Sequence, residues 1–234
     1  MDRSIFVALS GLSAGVERLN TTSNNLANIN TTGFKKLRPT FNVVAPSEQV
    51  TRAYAVSGPS VNDMTGGVMT KSGNPLDVAL EGEGFFVVRT PRGERYTREG
   101  DFKIDTKGRL STQGGFPVLG EGGVIKLSGS DVEIDASGSI SESGAVVGRL
   151  KVVKFNKEAL LKSEGGLYSS RTKPSAAAKG ATAVLQGFTE GSNVSALKEM
   201  VSMMDNLRAY QTQIKMIQSI DAMSRKAIEE VGRV

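Results

Sequence analysis

Apolar residues in the first thirty positions fall at Ile5, Leu9, Leu12, Val16, Leu19 and Leu26, with Ser23 in the one remaining slot. The steps alternate between four and three. That spacing draws one narrow apolar stripe along a helix, and it predicts a helix over residues 4–29 that buries the stripe against another helix. Ser4 is the candidate N-cap. Gly11 and Gly15 lie inside, and each weakens an isolated helix by roughly 1 kcal/mol relative to Ala. Four residues apart, they either admit the close approach of a neighbour or are simply tolerated. The stripe runs into Asn24, Asn25, Asn28, Asn30, Thr31, Thr32 and Gly33. Asn and Thr compete for backbone hydrogen bonds and Gly permits positive φ, so the helix stops there.

A second stripe closes the chain. Leu197, Val201, Met204, Leu207, Tyr210, Ile214, Ile217, Ile220, Met223, Ala227 and Val231 follow one another by steps of three or four, which predicts a helix over residues 194–231 about 55 Å long. Ser192 and Asn193 offer capping side chains, and Lys198 and Glu199 begin its charged face. Runs of consecutive threes break the strict heptad, so the stripe drifts around the helix. Met200, Met203 and Met216 widen it with adaptable side chains. This helix is longer than the first and keeps apolar surface after pairing with it, which points to a second interface with other subunits.

Between the two, the period changes. Pro39, Pro46 and Pro59 exclude long helices from residues 35–75. With short strands at residues 41–44 and 68–70, that segment reads as an extended arm or hairpin able to lie on a neighbour. Residues 76–190 read as short strands at regular spacing, an antiparallel β domain. Leu76–Leu80 alternates, Phe85–Val88 is dense, and further strands are expected at residues 95–97, 118–119, 124–127, 150–155 and 183–188. Two units share a strand, D-x-x-G turn, strand form: 102–111 around Asp105 and Gly108, and 132–141 around Asp135 and Gly138. In such a turn the Asp side chain caps the loop and Gly supplies the left-handed residue. A helical turn is expected at 157–161 and a loop at 173–180. The fold class is therefore α+β: N- and C-terminal helices paired as a coiled coil (1–34 and 191–234), an extended arm or linker (35–75) and an inserted antiparallel β-rich domain (76–190).

Composition narrows the chemistry. The 234 residues include no Cys and no His, which removes thiol catalysis, disulfides, Ser-His-Asp triads and nearly all zinc or haem sites. No cofactor is expected. The net charge of +5 is spread along the chain without a basic helix or aromatic–basic interleaving, so no nucleic-acid partner is expected. No stretch is long and apolar enough to span a bilayer, and residues 5–9 are too short for the core of a cleavable signal. A chain leaving the cytoplasm this way needs a dedicated export route. Asp77, Glu81, Glu83, Asp101 and Asp105 could supply paired carboxylates for cleavage of a cell-wall glycan, but Asp101 and Asp105 read as turn residues. Asp131, Glu133 and Asp135 lack the glycine and terminal Glu of a calcium loop. Phe85, Phe86 and Tyr96 could form the binding face of an adhesive module, although core positions suit them better.

Three blocks carry a family likeness. Asn24-Asn25-Leu26-Ala27-Asn28 followed by Thr32-Gly33-Phe34-Lys35 is similar to the N-terminal signature of bacterial flagellar rod and hook proteins. Ser192-Asn193-Val194, Glu199-Met200-Val201 and Arg208-Ala209-Tyr210 resemble their C-terminal signature. The stretch from Leu76 to Val88, with Tyr96-Thr97-Arg98, resembles the central motif of the rod members, and Met1-Asp2, Pro75–Leu80, Val118–Gly123 and Val147–Val153 are similar to the proximal rod type; distal rod and hook-type axial proteins are the alternative. The tail from Ser224 to Val234 departs from the pattern by keeping helical character. The resemblance implies a structural subunit without enzymatic activity, built helically into the hollow shaft that transmits torque and encloses the export channel. It implies partners among other rod proteins, copies of the chain itself and the flagellar type III export apparatus. The interface residues it implies are Ile5, Leu9, Leu12, Val16, Leu19, Asn24, Asn25, Leu26, Asn28 and Phe34 at one end. At the other they are Asn193, Leu197, Val201, Met204, Leu207, Arg208, Tyr210, Ile214, Ile217 and Ile220.

Overall fold

The structure is a computed structural model that describes residues 2–44, 54–129, 131–155, 160–162, 166–170, 172–176 and 182–232. Two long helices stand at the ends, α1 (Asp2–Ala27) and α2 (Ala196–Val231), with short strands between them. The architecture is α+β, as the change of period requires. No described helix is long and apolar enough to cross a membrane. The chain divides into two compact units, one of residues 1–27, 37–63 and 195–234 and the other of residues 28–36 and 64–194.

In the first unit α1 and α2 pack together, and the chain after α1 forms a hairpin in two steps. Leu37–Arg38 pairs with Val61–Asn62, and Phe41–Val44 pairs with Tyr54–Ser57, both antiparallel. The hairpin lies on α1, where the Arg18 guanidinium sits 4.8 Å from the centre of the Phe41 ring. Much of the expected arm is therefore a paired hairpin; its residues 45–53 lie outside the described ones. The helix starts also differ from expectation. Ser4 falls inside α1, and the N-cap of α2 is Ser195, whose side chain makes no capping hydrogen bond among the described residues.

The second unit is β-rich. A six-stranded antiparallel sheet runs in the order Leu160–Lys162, Tyr168–Ser170, Gly93–Thr97, Phe85–Thr90, Val152–Lys154, Ser175–Ala176. Leu160–Lys162 is thus a strand where a helical turn was expected, and residues 156–159 of that stretch lie outside the described ones. Ser175–Ala176 adds a strand to the expected loop, whose residues 177–180 are likewise outside. Val78–Gly82 pairs with Thr182–Gln186, and Met69–Lys71 with Phe188–Glu190. Both D-x-x-G turns form as read. Asp105 Oδ1 accepts from the N–H groups of Lys107 and Arg109, each at 2.8 Å, and Asp135 Oδ1 accepts from Ser137 and Ser139 at 2.8 and 2.9 Å. Gly108 and Gly138 take φ of 69° and 82°, which L side chains rarely adopt.

Residues 85–88 of the central strand Phe85–Thr90 are buried on both faces. Phe86 and Val88 join a core with Val78, Leu80, Phe102, Leu110 and Ile140, while Phe85 and Val87 join Tyr96, Leu119, Val153 and Tyr168. Each such side chain stabilises the unit by about 1.5–3 kcal/mol when fully buried. Phe85, Phe86 and Tyr96 are core residues, which removes them as an exposed binding face.

Candidate assembly interface

On the α1 side the contact with α2 uses small and polar residues. On α1 the inward face is Ala8, Gly11, Ala14, Gly15, Thr21, Thr22 and Asn25, all buried or half-buried. Asn25 Nδ2 donates to Glu199 Oε2 at 3.5 Å, and Asn206 Nδ2 to Thr22 Oγ1 at 3.2 Å. A Cβ on Gly15 would lie 3.0 Å from Gln213 Oε1, and one on Gly11 3.8 Å from Gln213 Nε2. Partners descend along α1 as they ascend along α2, so the helices are antiparallel. The two glycines admit the neighbour's side chain. On α2 the inward face is Glu199, Met203, Asn206, Tyr210, Gln213, Ile217, Ile220 and Ser224, steps of four and three without a break.

The expected stripe of α1 coincides with this face only in part. Leu9 and Val16 are 53% and 39% exposed, Ser23 and Asn24 are exposed, and Ile5, Leu12, Leu19 and Leu26 are half-buried. At 100° per residue Leu9 and Val16 lie roughly 100–140° round the helix from Gly15 and Thr22, whereas Leu12, Leu19 and Leu26 lie within about 80° of them. On α2 the division is sharper. Leu197, Val201, Met204 and Leu207 are 74%, 51%, 54% and 41% exposed, with Met200 beside them at 51%; Arg208 is also exposed. Leu197, Val201 and Met204 sit almost opposite Glu199, Asn206 and Gln213, and Met200 and Leu207 lie about 80–140° from them. Tyr210, Ile214, Ile217 and Ile220 are half-buried on or beside the inward face. Glu199, expected on a charged surface, is 2% exposed beneath Asn25.

Asn25 does more than stop a helix. Its Oδ1 accepts from the Leu37 N–H at 2.8 Å, and its Nδ2 donates to the Leu37 carbonyl at 2.9 Å. A side-chain amide thereby pairs with backbone as a strand residue would. Past the helix, in the β-rich unit, Asn28 Oδ1 accepts from Thr31 Oγ1 at 3.2 Å. Gly33 takes φ 67° and donates its N–H to the Glu190 carbonyl at 2.7 Å. A Cβ there would fall 2.4 Å from the Arg98 carbonyl carbon, so only glycine fits. Phe34 is 3% exposed, and its carbonyl accepts from the Asn193 N–H. Asn193 Oδ1 accepts from the Lys36 N–H at 2.7 Å, and its Nδ2 donates to the Thr65 carbonyl at 3.1 Å. The two terminal signatures are thus hydrogen-bonded to each other within the chain.

Beside this joint lies a buried ion triad. Lys35 Nζ meets Glu190 Oε1 at 2.6 Å, and Arg98 Nη1 meets Glu190 Oε2 at 3.3 Å; the side chains of Lys35 and Glu190 are 1% exposed and that of Arg98 7%. Glu190 also accepts from the Gly67 N–H, and Arg98 donates to the carbonyls of Leu80 and Gly82. Burial pulls the Arg98 pKa down while the Glu190 carboxylate beside it pushes it up. Sequence reasoning missed the triad because its members are distant in the chain, although Lys35 and Arg98 both stand inside the quoted motifs. The rival carboxylates have structural positions. Asp105 caps a turn, and Asp77 and Asp101 face each other across a backbone bridge, with Asn74 donating to Asp77 at 2.9 Å. Glu81 and Glu83 are exposed.

Three family descriptions match in chain order. Residues 5–35 match the flagella basal body rod protein family, residues 79–146 the D1 domain of the flagellar hook proteins FlgE/F/G, and residues 185–230 the C-terminal region of the flagellar basal body rod proteins FlgEFG. The flagellar basal-body rod protein FlgF of Caulobacter vibrioides is 33% identical over 100% of both chains. That of Escherichia coli is 35% identical over 97% of each. The rod protein FlgG of Buchnera aphidicola is 31% identical over 95% of this chain and 97% of its own. Matches at both ends and in the middle, at this identity and along the full length, mean that the chain belongs to the flagellar basal-body rod protein family and is of the FlgF type.

Proposed function

We propose that the chain is a structural subunit of the proximal rod, joined to its neighbours through the outward stripes of its two terminal helices. The observation that carries this reading is the division of α2. Its inward heptad mixes Glu199, Asn206 and Gln213 with half-buried Met203, Tyr210, Ile217 and Ile220, while Leu197, Met200, Val201, Met204 and Leu207 are left at the surface. An apolar row of this length on a helix marks a contact with another protein. Leu9 and Val16 of α1 add to it. In this reading α1 and α2 act as an antiparallel coiled coil with apolar outward flanks, and the hairpin of residues 37–63 reaches toward a neighbour. Contacts between unlike faces of successive subunits, such as these two rows, build an open helical array. Copies of the chain and other rod proteins are the partners, torque transmission and enclosure of the export channel are the task, and the type III export apparatus is the delivery route. No enzymatic step is part of this reading.

Val201→Asp and Leu197→Asp test it. Each puts a charge on the surface without touching the inward face. The expected outcome is loss of swimming in a strain whose only copy carries the variant, while the purified variant keeps the helical and β content of the parent by circular dichroism. Normal swimming by both variants would remove the stripe from the interface.

A further inference from the structure

The β-rich unit uses one arrangement twice. Residues 103–111 and 133–141 share Ile at the second place, Asp at the third, Gly at the sixth and Ser at the ninth, with Leu110 matching Ile140 at the eighth. The backbone agrees bond for bond. Asp105 N–H donates to the Arg109 carbonyl at 2.9 Å, and Asp135 N–H to the Ser139 carbonyl at 3.0 Å. Gly108 N–H donates to the Asp105 carbonyl at 3.0 Å, and Gly138 N–H to the Asp135 carbonyl at 2.9 Å. Ile104 lies opposite Leu110 as Ile134 lies opposite Ile140. Ser111 Oγ donates to the Lys103 carbonyl at 3.2 Å, and Ser141 Oγ to the Glu133 carbonyl at 3.5 Å.

A D-x-x-G turn dictates only its own few residues. The likeness runs further, into a third strand that arrives from later in the chain. Lys126 pairs with Arg109 and Arg149 with Ser139, both antiparallel. One residue on, Leu127 N–H donates to the Gly108 carbonyl at 2.7 Å, and Leu150 N–H to the Gly138 carbonyl at 2.8 Å. Both leucines are buried in the same core as Leu110 and Ile140. The copies differ in the connection that leads to this strand. In the first it is long, and its Pro117 carbonyl accepts from the Arg89 N–H of the central sheet at 2.8 Å. In the second it is a short return, with Val146 exposed beside it. Connections are where like units tolerate differences in length. We propose that residues 102–127 and 132–150 are two copies of one three-stranded clip, and that in each the aspartate is a latch. Its carboxylate gathers two N–H groups of the turn, which fixes the glycine in its left-handed conformation and aims the glycine carbonyl at the third strand. Each latch holds its own leucine strand and not the other. The clips stand whether or not the rod-subunit reading does.

The test is amide hydrogen exchange on the full-length ¹⁵N-labelled protein under native conditions. Asp105→Ala should speed exchange at Leu127 by about tenfold or more while Leu150 keeps its parent rate. Asp135→Ala should do the reverse. A variant that opens both leucines, opens neither, or loses the amide dispersion of the whole β-rich unit overturns the proposal. Asp105→Asn and Asp135→Asn keep the Oδ1 acceptor and should leave both leucines near their parent rates; an Asn variant as open as its Ala counterpart overturns the latch. A turn exchange tests the equivalence of the copies. Thr106→Ala, Lys107→Ser and Arg109→Ser, combined with Ala136→Thr, Ser137→Lys and Ser139→Arg, give each turn the other's sequence. The melting temperature should stay within about 4 °C of the parent, and a larger fall overturns the assignment of two equivalent copies.

Discussion

The two units treat their large apolar side chains in opposite ways. In the β-rich unit Phe86, Val87, Val88, Leu110, Val118 and Ile140 are all at or below 1% exposure. In the helix pair the buried positions are Ala8, Ala14, Thr21, Thr22, Asn25 and Glu199, while Leu9, Leu197, Val201 and Met204 are exposed. A domain stable alone hides its hydrophobic residues. The helix pair fully buries only small and polar residues, half-buries Met203, Tyr210, Ile217 and Ile220, and keeps Leu197, Val201 and Met204 outside, which is the arrangement expected of a face covered by another protein. The β-rich unit buries this core within one chain; in the reading proposed above the helix pair is completed by neighbours.

Four measurements can break or sharpen that contrast. The largest effect belongs to the β-rich core. Phe86→Ala should cost about 3–5 kcal/mol by the lost burial and the cavity left behind, read as a lower denaturant midpoint for the β signal. A loss under 1 kcal/mol would mean that this core is loosely packed and the contrast overstated. Next is Asn25→Ala, which leaves the Leu37 N–H and carbonyl and the Glu199 carboxylate without its amide. About 1–3 kcal/mol is expected, seen in the helical signal.

The third is a pH slope. Burial, with Asp101 beside it, raises the Glu99 carboxyl from its ordinary 4.5 to about 7. Between those values the folded chain holds the proton and the unfolded chain releases it. Stability of the β-rich unit should therefore fall as pH rises from about 4.5 to about 7, then level off. Glu99→Gln should flatten that part of the profile, and an unchanged profile would show that another group sets it. The smallest effect belongs to the outward stripe. Leu197→Asp and Val201→Asp should each change the stability of the isolated protein by less than about 0.5 kcal/mol. A larger loss would place these side chains in an internal contact.

Much of this was legible in the residues. The change of period from heptads to short alternating runs located both helices, and Asp and Gly at fixed offsets located two turns correctly, because those signals are local. The face was not. An apolar stripe says that a helix face will be covered, and it does not say by what. On α1 the intramolecular partner took the Gly11, Gly15 and Thr22 side, where backbones can approach closely, and left Leu9 and Val16 outside. The triad was illegible for another reason. Lys35 and Glu190 are 155 residues apart, and in isolation each reads as an ordinary surface charge.

The hydrogen bond from Gly33 to Glu190 bears on the order in which the chain folds. Asn25 and Glu199 are 174 residues apart in sequence, a separation that makes helix pairing slow in an open chain. Once the β-rich unit has formed, Gly33 and Glu190 are already bonded, and only a few residues on each side separate them from Asn25 and Glu199. The long closure becomes a short one. The middle of the chain thereby lowers the closure cost of its two ends: pairing of α1 with α2 is entropically easier once the β-rich unit exists.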